Sequence, residues 1–163
     1  MSKVHRAIFL DRDGVINKER EDYVKTVEEL EIFPEVAESV INLKSVGFLV
    51  IVITNQSAVN RKLTTHENID KIHSAIQKHL EEKGTLIDRF YYCPHRPDEN
   101  CGCRKPKPGL IIQAANELNI DLKSSWMIGD NDSDIEAATS IGCKAIKVDK
   151  NLTLREAVQS ILK

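Results

Sequence analysis

Short apolar runs alternate with segments of helical period along the chain. The apolar runs predict strands at residues 7–10, 48–53, 88–92, 125–129 and 144–148. Between the runs, apolar residues recur every three or four positions, as on the buried face of a helix. Continuous apolar strands between amphipathic helices predict an α/β fold, a Rossmann-like parallel sheet with helices on both faces.

Local signals mark the ends of the predicted helices. The first helix is expected to stop at Gly47, since glycine readily takes the left-handed conformation that ends helices. Thr64 with Glu67, and Thr153 with Glu156, each have the spacing of a capping box. These pairs predict the starts of the second and the last helix.

Length, composition and charge narrow the possibilities further. The 163 residues are 41% hydrophobic, which predicts one domain spanning residues 1–163. We expect a cytoplasmic protein, because no run nears the roughly 18 apolar residues of a membrane span and the N-terminus lacks a secretory signal. A net charge of −2 offers no broad basic face for nucleic acid, and a monomer is the simplest expectation.

Polar and acidic side chains follow three of the predicted strands. They are Asp11 and Asp13, Thr54 and Asn55, and Asp130 and Asp134. Ligands of parallel sheets bind beyond the carboxyl ends of the strands, so these groups are expected to meet. Carboxylates suit Mg²⁺, an aspartate can attack phosphorus, and a hydroxyl, an amide and a lysine can neutralise phosphoryl oxygens. Taken singly, each residue could instead be a helix cap or a turn residue.

A second cluster consists of soft ligands. Cys93, His95, Cys101 and Cys103 lie within eleven residues and form a Cys₃His set suited to tetrahedral Zn²⁺ with no open position. Such a closed site is structural. The single-residue gaps are shorter than generic zinc spacings, so unrelated thiols and a surface histidine are the alternative.

Other polar residues are interpreted as ordinary parts of the fold. His73 and the remaining histidines outside the Cys₃His set are expected on the surface or on helix faces. Cys143 is expected to be a small buried residue. Lys62 and Lys107 are more typical of solvated surface, and Arg61 could touch a substrate.

Four motifs in order carry a family resemblance. "DRDGVIN", "TNQS", "KPKPG" and "GDNDSD" stand at residues 11–17, 54–57, 105–109 and 129–134. The set resembles the haloacid dehalogenase-like phosphatases over nearly the whole chain. "YYCPH" and "CGCRKP" are similar to the subgroup of heptose 1,7-bisphosphate and histidinol-phosphate phosphatases, which is small and nearly capless. The zinc loop, residues 93–103, would then be an insertion before the third motif.

The resemblance implies roles for the acidic residues. Asp11 becomes the nucleophile and a Mg²⁺ ligand. Asp13 becomes the general acid and base and offers its backbone carbonyl to the metal. Asp130 becomes the third protein ligand, with Asp134 orienting it or the lysine from behind. Thr54 would hydrogen-bond the transferring phosphoryl group.

The resemblance also implies how substrate is bound. Lys105 would stabilise the phosphoryl charge, with Lys107 as a rival, and Arg104 would clamp a second phosphate that does not react. Further substrate contacts are expected from Tyr23, Asn55, Gln56 and Ser57.

The expected activity follows from these roles. We expect a phosphatase with Mg²⁺ and Zn²⁺ that acts on a small phosphorylated metabolite and removes the 7-phosphate of D-glycero-D-manno-heptose 1,7-bisphosphate through an aspartyl-phosphate. Histidinol phosphate or another small phosphate ester is the alternative, and Asn131 leaves the substrate open because a lysine commonly follows this aspartate. A phospho-receiver or a silent metal-binding module is the alternative that is not an enzyme. A receiver would carry its acceptor aspartate after the third strand, where "YYCPH" has none.

Overall fold

A computed structural model describes residues 3–163 as a five-stranded parallel sheet between two layers of helices. The strands are β1 (Ala7–Leu10), β2 (Leu49–Asn55), β3 (Arg89–Cys93), β4 (Trp126–Gly129) and β5 (Lys144–Lys147). The α-helices are α1 (Val36–Ser45), α2 (His66–Glu82), α3 (Gly109–Leu118), α4 (Asp132–Thr139) and α5 (Leu154–Leu162). Single 3₁₀ turns lie at Val27–Glu29, Pro97–Glu99 and Leu122–Ser124.

The strand order places β1 at the centre of the sheet. The order is β3-β2-β1-β4-β5, and every neighbouring pair is parallel. The chain first winds outward from β1 to β3 and then returns to β4 on the other side of β1. This reversal opens a crevice at the carboxyl ends of β1 and β4, where ligands of doubly wound sheets bind.

Alternation along the strands divides the core between the two faces of the sheet. Ile8 and Leu10 of β1 pack in the cluster that contains α1, α2 and α5, whereas Ala7 and Phe9 pack in the cluster that contains α3 and α4. All four side chains are fully buried. The predicted parallel sheet with helices on both faces is confirmed.

Most predicted strand boundaries are displaced by one or two residues, and the start of α2 also differs from the prediction. β2 continues through Asn55, so Thr54 and Asn55, which were predicted to follow this strand, are its last two residues. The cap of α2 is Thr65, whose side chain accepts a hydrogen bond from the backbone N–H of Asn68, and the capping box predicted one residue earlier is wrong. Thr64 instead donates its hydroxyl to the carbonyl of Lys25, 2.6 Å away.

Two other boundary signals are confirmed. α1 ends just before Gly47, which has φ +95°, and Thr153 and Glu156 form the predicted capping box of α5. No helix within residues 3–163 is long and apolar enough to cross a membrane.

Candidate active site and candidate metal centres

Three carboxylates meet at the carboxyl ends of β1 and β4. Asp11 follows β1, Asp130 follows β4, and Asp134 lies in the first turn of α4. One oxygen from each lies within 4.8 Å of the others. The adjacency of β1 and β4 thus brings together groups that are more than a hundred residues apart in sequence.

This cluster carries unbalanced negative charge. Burial, followed by repulsion from Asp11 and Asp134, raises the pKa of Asp130 to about 7. Burial and Asp11 raise the pKa of Asp134 to about 6, against the opposing effect of Lys105. Crowded carboxylates with raised pKa values take up either protons or a cation. The donor set consists of hard oxygen atoms and therefore fits Mg²⁺.

Close packing fixes the carboxylate of Asp130 against the turn after β1. Gly14 has φ +88°, and a Cβ there would stand 2.0 Å from Oδ2 of Asp130. Any side chain at this position would displace the carboxylate. The glycine therefore lets the motif after β1 and the motif after β4 share one small volume.

Lys105 forms ion pairs with two of these carboxylates. Its Nζ lies 3.0 Å from Oδ1 of Asp11 and 2.5 Å from Oδ1 of Asp134, and it donates to the carbonyl of Ile53 at 2.8 Å. The residue is 4% exposed. Burial alone would lower the pKa of Lys105, but the two carboxylates outweigh it and raise that pKa.

The backbone of Lys105 is attached to β2 through one side chain. Asn55 donates from Nδ2 to the carbonyl of Lys105 at 3.1 Å and accepts from its N–H at 3.0 Å. A carboxamide that pairs with both backbone groups mimics one rung of a β-ladder. Asn55 also lies on the wall of the cavity described below, where it is predicted to contact substrate.

Asp13 is surrounded by hydrogen-bond donors. Its Oδ1 accepts from Arg12 Nε and Nη2 at 3.1 and 2.8 Å and from Asn17 Nδ2 at 2.9 Å. Its Oδ2 accepts from Gln56 Nε2 at 2.9 Å. Burial would raise the pKa of Asp13, but Arg12 and the donated hydrogen bonds lower it. The side chain of Asp13 is nevertheless 25% exposed.

The surroundings of Arg12 could not be read from the sequence. Arg12 is fully buried, and its Nη1 lies 3.3 Å from Nε2 of His73 on α2. His73 lies on a helix, α2, as one of the two expectations had it, but not at the surface, since it is 7% exposed and stacks on Phe90 at 4.6 Å. Burial, and then the charge of Arg12, lowers the pKa of His73 to about 3. His73 therefore accepts a hydrogen bond from the guanidinium as a neutral ring.

A cavity of about 370 Å³ opens above these groups. Of the residues with predicted roles, its wall includes Asp11, Asp13, Tyr23, Asn55, Ser57, Arg104, Lys105 and Asp134. It also includes Arg61, Glu19, Arg20 and Asn131. Thr54 and Gln56 are buried, 1% and 2% exposed, and do not line the cavity.

The loop from residue 18 to residue 24 forms one rim of this cavity. Tyr23 has φ +68°, a left-handed conformation that is uncommon for an aromatic residue. Glu19 faces the catalytic strand, and burial, with repulsion from Asp13 and Asp11, raises its pKa. The charged residues of this loop do not by themselves predict that Glu19 lies at the cavity.

The four soft ligands also converge. Cys93 Sγ lies 3.6 Å from Cys101 Sγ, 3.0 Å from Cys103 Sγ and 3.3 Å from Nδ1 of His95, and the last lies 3.2 Å from Cys103 Sγ. All four atoms fall within 4.8 Å of one another. Cys143 stands apart and is buried, as predicted, and burial raises the pKa of its thiol to about 12.

Arg104 follows this loop directly. Its Nη1 donates to the carbonyl of His95 at 3.3 Å, so the guanidinium is anchored to the cysteine-rich loop. It reaches the cavity wall next to Lys105.

Comparisons with known proteins agree with this geometry. A HAD-hydrolase-like family model matches residues 102–162. A D-glycero-beta-D-manno-heptose-1,7-bisphosphate 7-phosphatase from Helicobacter pylori J99 is 41% identical over 157 residues, which cover 96% of this chain and 87% of the relative. The enzyme of the same name from Pseudomonas aeruginosa is 38% identical over 141 residues, 86% of this chain and 79% of the relative.

A solved structure extends the similarity to three dimensions. The D,D-heptose 1,7-bisphosphate phosphatase of B. bronchiseptica, crystallised with magnesium and phosphate, superposes with a TM-score of 0.89 at 28% identity. The match covers 96% of this chain and 98% of that one. A corresponding enzyme from Burkholderia thailandensis, 22% identical with a TM-score of 0.70, shares the fold.

Proposed function

This chain belongs to the family of D-glycero-beta-D-manno-heptose-1,7-bisphosphate 7-phosphatases, and on that premise we propose that it hydrolyses the 7-phosphate of D-glycero-D-manno-heptose 1,7-bisphosphate through an aspartyl-phosphate on Asp11. The observation that carries the proposal is the ion pair between the buried Lys105 and Asp11 at the wall of an open cavity. A carboxylate held in this way faces incoming phosphate with its orientation already set.

In the first half of the reaction, a carboxylate oxygen of Asp11 attacks phosphorus. The bond between phosphorus and the sugar oxygen breaks, and Asp13 gives that oxygen a proton so that it leaves as a hydroxyl. Lys105 offsets the charge on the phosphoryl oxygens. Thr54, predicted to donate to them, is 1% exposed and does not line the cavity, so we assign it no contact with the phosphoryl group.

In the second half, water replaces the sugar. Asp13, now a carboxylate, takes a proton from the water, whose oxygen attacks phosphorus. The bond between phosphorus and Asp11 breaks, and inorganic phosphate and the free carboxylate are released. Asp13 is again protonated for the next cycle.

We propose that Asp11, Asp130 and the backbone carbonyl of Asp13 hold Mg²⁺, with Asp134 behind them. The raised pKa values of Asp130 and Asp134 support a cation here. Asp134 has its oxygens near Lys105 Nζ and the N–H of Asn131, which supports an orienting role. When bound, the ion neutralises the carboxylates and the phosphoryl oxygen that it contacts.

We propose that Cys93, His95, Cys101 and Cys103 hold a structural Zn²⁺, with His95 binding through Nδ1. Zinc bonds of about 2.3 Å to sulfur and about 2.0 Å to nitrogen in a tetrahedron separate the ligand atoms by roughly 3.5 to 3.8 Å. Separations of 3.0 to 3.6 Å support such a site.

A second phosphate is proposed to bind at the rim. Arg104 and Arg61 both line the cavity, and a planar guanidinium can bind a phosphate through two parallel hydrogen bonds. The 1-phosphate would remain on the product, so a bisphosphate should be a better substrate than the matching monophosphates.

The test is phosphate release with Mg²⁺ from both anomers of the heptose bisphosphate, fructose 1,6-bisphosphate and histidinol phosphate. We expect one heptose anomer to be strongly preferred and an Asp11→Asn variant to release no phosphate. Release from histidinol phosphate alone would keep the mechanism and replace the substrate. Metal binding without turnover of any compound would favour the silent metal-binding alternative.

A further inference from the structure

Gln56 lies beneath the reaction site and contacts two of its residues. Its side-chain nitrogen Nε2 lies 2.9 Å from Oδ2 of Asp13 and 3.0 Å from Oγ1 of Thr54. Both hydrogens of the amide are therefore used within the protein. Because the residue is 2% exposed and absent from the cavity wall, its side chain offers no donor to a substrate.

The direction of these hydrogen bonds is fixed by chemistry. A carboxylate only accepts hydrogen bonds, so the nitrogen of Gln56 must face Asp13. The backbone N–H of Gln56 donates to the carbonyl of Cys93 at 2.7 Å, which ties this residue to the end of β3. Gln56 is thus held from its backbone while its side chain holds Asp13.

The two oxygens of Asp13 differ in what surrounds them. Oδ1 accepts three hydrogen bonds, two from Arg12 and one from Asn17, and has no direction left for a proton. Oδ2 accepts one, from Gln56. A carboxylate oxygen with one donor keeps a lone-pair direction free for proton transfer.

We propose that Gln56 is a positioning residue that aims Oδ2 of Asp13 at the leaving oxygen, so that this one oxygen carries the proton in both half-reactions. The inference rests on the proposed phosphatase mechanism and replaces the expectation that Gln56 binds substrate. By donating to Thr54 as well, Gln56 joins the acid/base group to the end of β2.

The decisive readout is the dependence on the leaving group. An alkyl oxygen needs a proton to leave, whereas p-nitrophenolate does not, and kcat/KM reports the steps through phosphoenzyme formation. In Gln56→Met we expect kcat/KM for the sugar phosphate to fall roughly 10- to 100-fold, a part of the 10²- to 10⁴-fold that general acid catalysis supplies. With p-nitrophenyl phosphate we expect a fall of less than about threefold.

A double-mutant cycle gives a second readout. If Gln56 acts through Asp13, Gln56→Met should cause no further loss of kcat/KM in an Asp13→Asn background. Equal losses on both substrates, a multiplied loss in the double variant, or no loss at all would overturn the proposal. Wild-type protein that hydrolyses neither substrate would instead contradict the proposed function.

Matched variants separate positioning from stability. Gln77→Met removes a carboxamide that pairs only with the backbone of Ile87, at 2.7 and 2.9 Å, and should leave both kcat/KM values unchanged. Should Gln56→Met unfold, Gln56→Leu keeps a similar side-chain volume and removes the donors without adding a charge, and it must show the same dependence on the leaving group. Thermal melting of each variant confirms that folded protein is compared.

Discussion

The ammonium group of Lys105 has three hydrogens and three acceptors, from Asp11, Asp134 and Ile53. A buried charge is tolerated when it is paired and hydrogen-bonded, but removing one partner leaves an uncompensated charge. The three acceptors therefore hold the ammonium next to Asp11. The hydrogen bond from Lys105 Nζ to the carbonyl of Ile53 also fixes the position of the ammonium group relative to β2.

We predict that Lys105→Met destabilises the metal-free protein by about 3–5 kcal/mol, since Asp11 and Asp134 lose their partner. We also expect kcat/KM to fall about 10²- to 10³-fold, as when a charge-stabilising donor is removed. Denaturant unfolding and steady-state kinetics measure the two effects. Lys107→Met is the control, because Lys107 is exposed. Unchanged stability in Lys105→Met would contradict the ion pairs described above.

At the residue scale, the sequence predicted only those site residues whose side-chain chemistry suggests a function. The spacing of Asp11 and Asp13 predicts a carboxylate site, because few other uses need two acids at a strand end. Arg12 and His73 carried no such signal, since a charged residue and a histidine are usually exposed. Their burial depends on the contact between α2 and the turn after β1, which the sequence pattern does not specify.

At the scale of elements, the zinc loop is the segment with the least structure of its own. Residues 93–103 contain one turn of 3₁₀ helix, Pro97–Glu99, and side chains that are mostly polar. Such a segment buries too little apolar surface to order itself, and the Zn²⁺ proposed above would supply the missing free energy. Arg104 depends on it through the carbonyl of His95.

We predict that Cys103→Ser lowers zinc content and loosens the loop. The KM for the bisphosphate should rise about tenfold through loss of the Arg104 contact, as expected for about 1.4 kcal/mol of binding free energy, while kcat changes little. Elemental analysis and kinetics on bisphosphate and monophosphate measure this. Cys143→Ala should keep its zinc and its KM. An unchanged KM in zinc-free Cys103→Ser would separate Arg104 from the loop.

Sequence signals for whole elements succeeded where one periodicity dominated. The strands were predicted because five apolar runs stand between helical segments, and the ends of α1 and α5 follow from Gly47 and Thr153. The start of α2 was displaced by one residue because Thr64 and Thr65 both can cap. The choice was made by a tertiary contact, the hydrogen bond of Thr64 to Lys25.

At the scale of the whole molecule, His73 makes global stability depend on pH. Its folded pKa of about 3 lies below the ordinary value of 6.5, so the unfolded chain binds the proton first. Stability from this group is complete above pH 6.5 and is lost as the pH falls toward 3. One proton corresponds to a slope of at most about 1.4 kcal/mol per pH unit.

We predict that His73→Gln, which keeps an acceptor near Arg12 but does not titrate, loses less stability than wild type on going from pH 7.5 to pH 4.5. Denaturant unfolding across this range measures the difference, and the acidic residues contribute equally to both proteins. His79→Gln is the control, since His79 lies on the same helix and is only half-buried. Parallel curves for wild type and His73→Gln would show that folding does not lower the pKa of His73.

Lys105 and Arg104, two of the basic residues at the cavity, are attached to different parts of the molecule. Lys105 is held by Asn55 and by the carbonyl of Ile53 in β2, whereas Arg104 is held by the loop that contains Cys93, His95, Cys101 and Cys103. Mutations in that loop can therefore alter which molecules are accepted without disturbing the bond-breaking step. Over evolution, such a chain can acquire new substrates while the residues around Asp11 are retained.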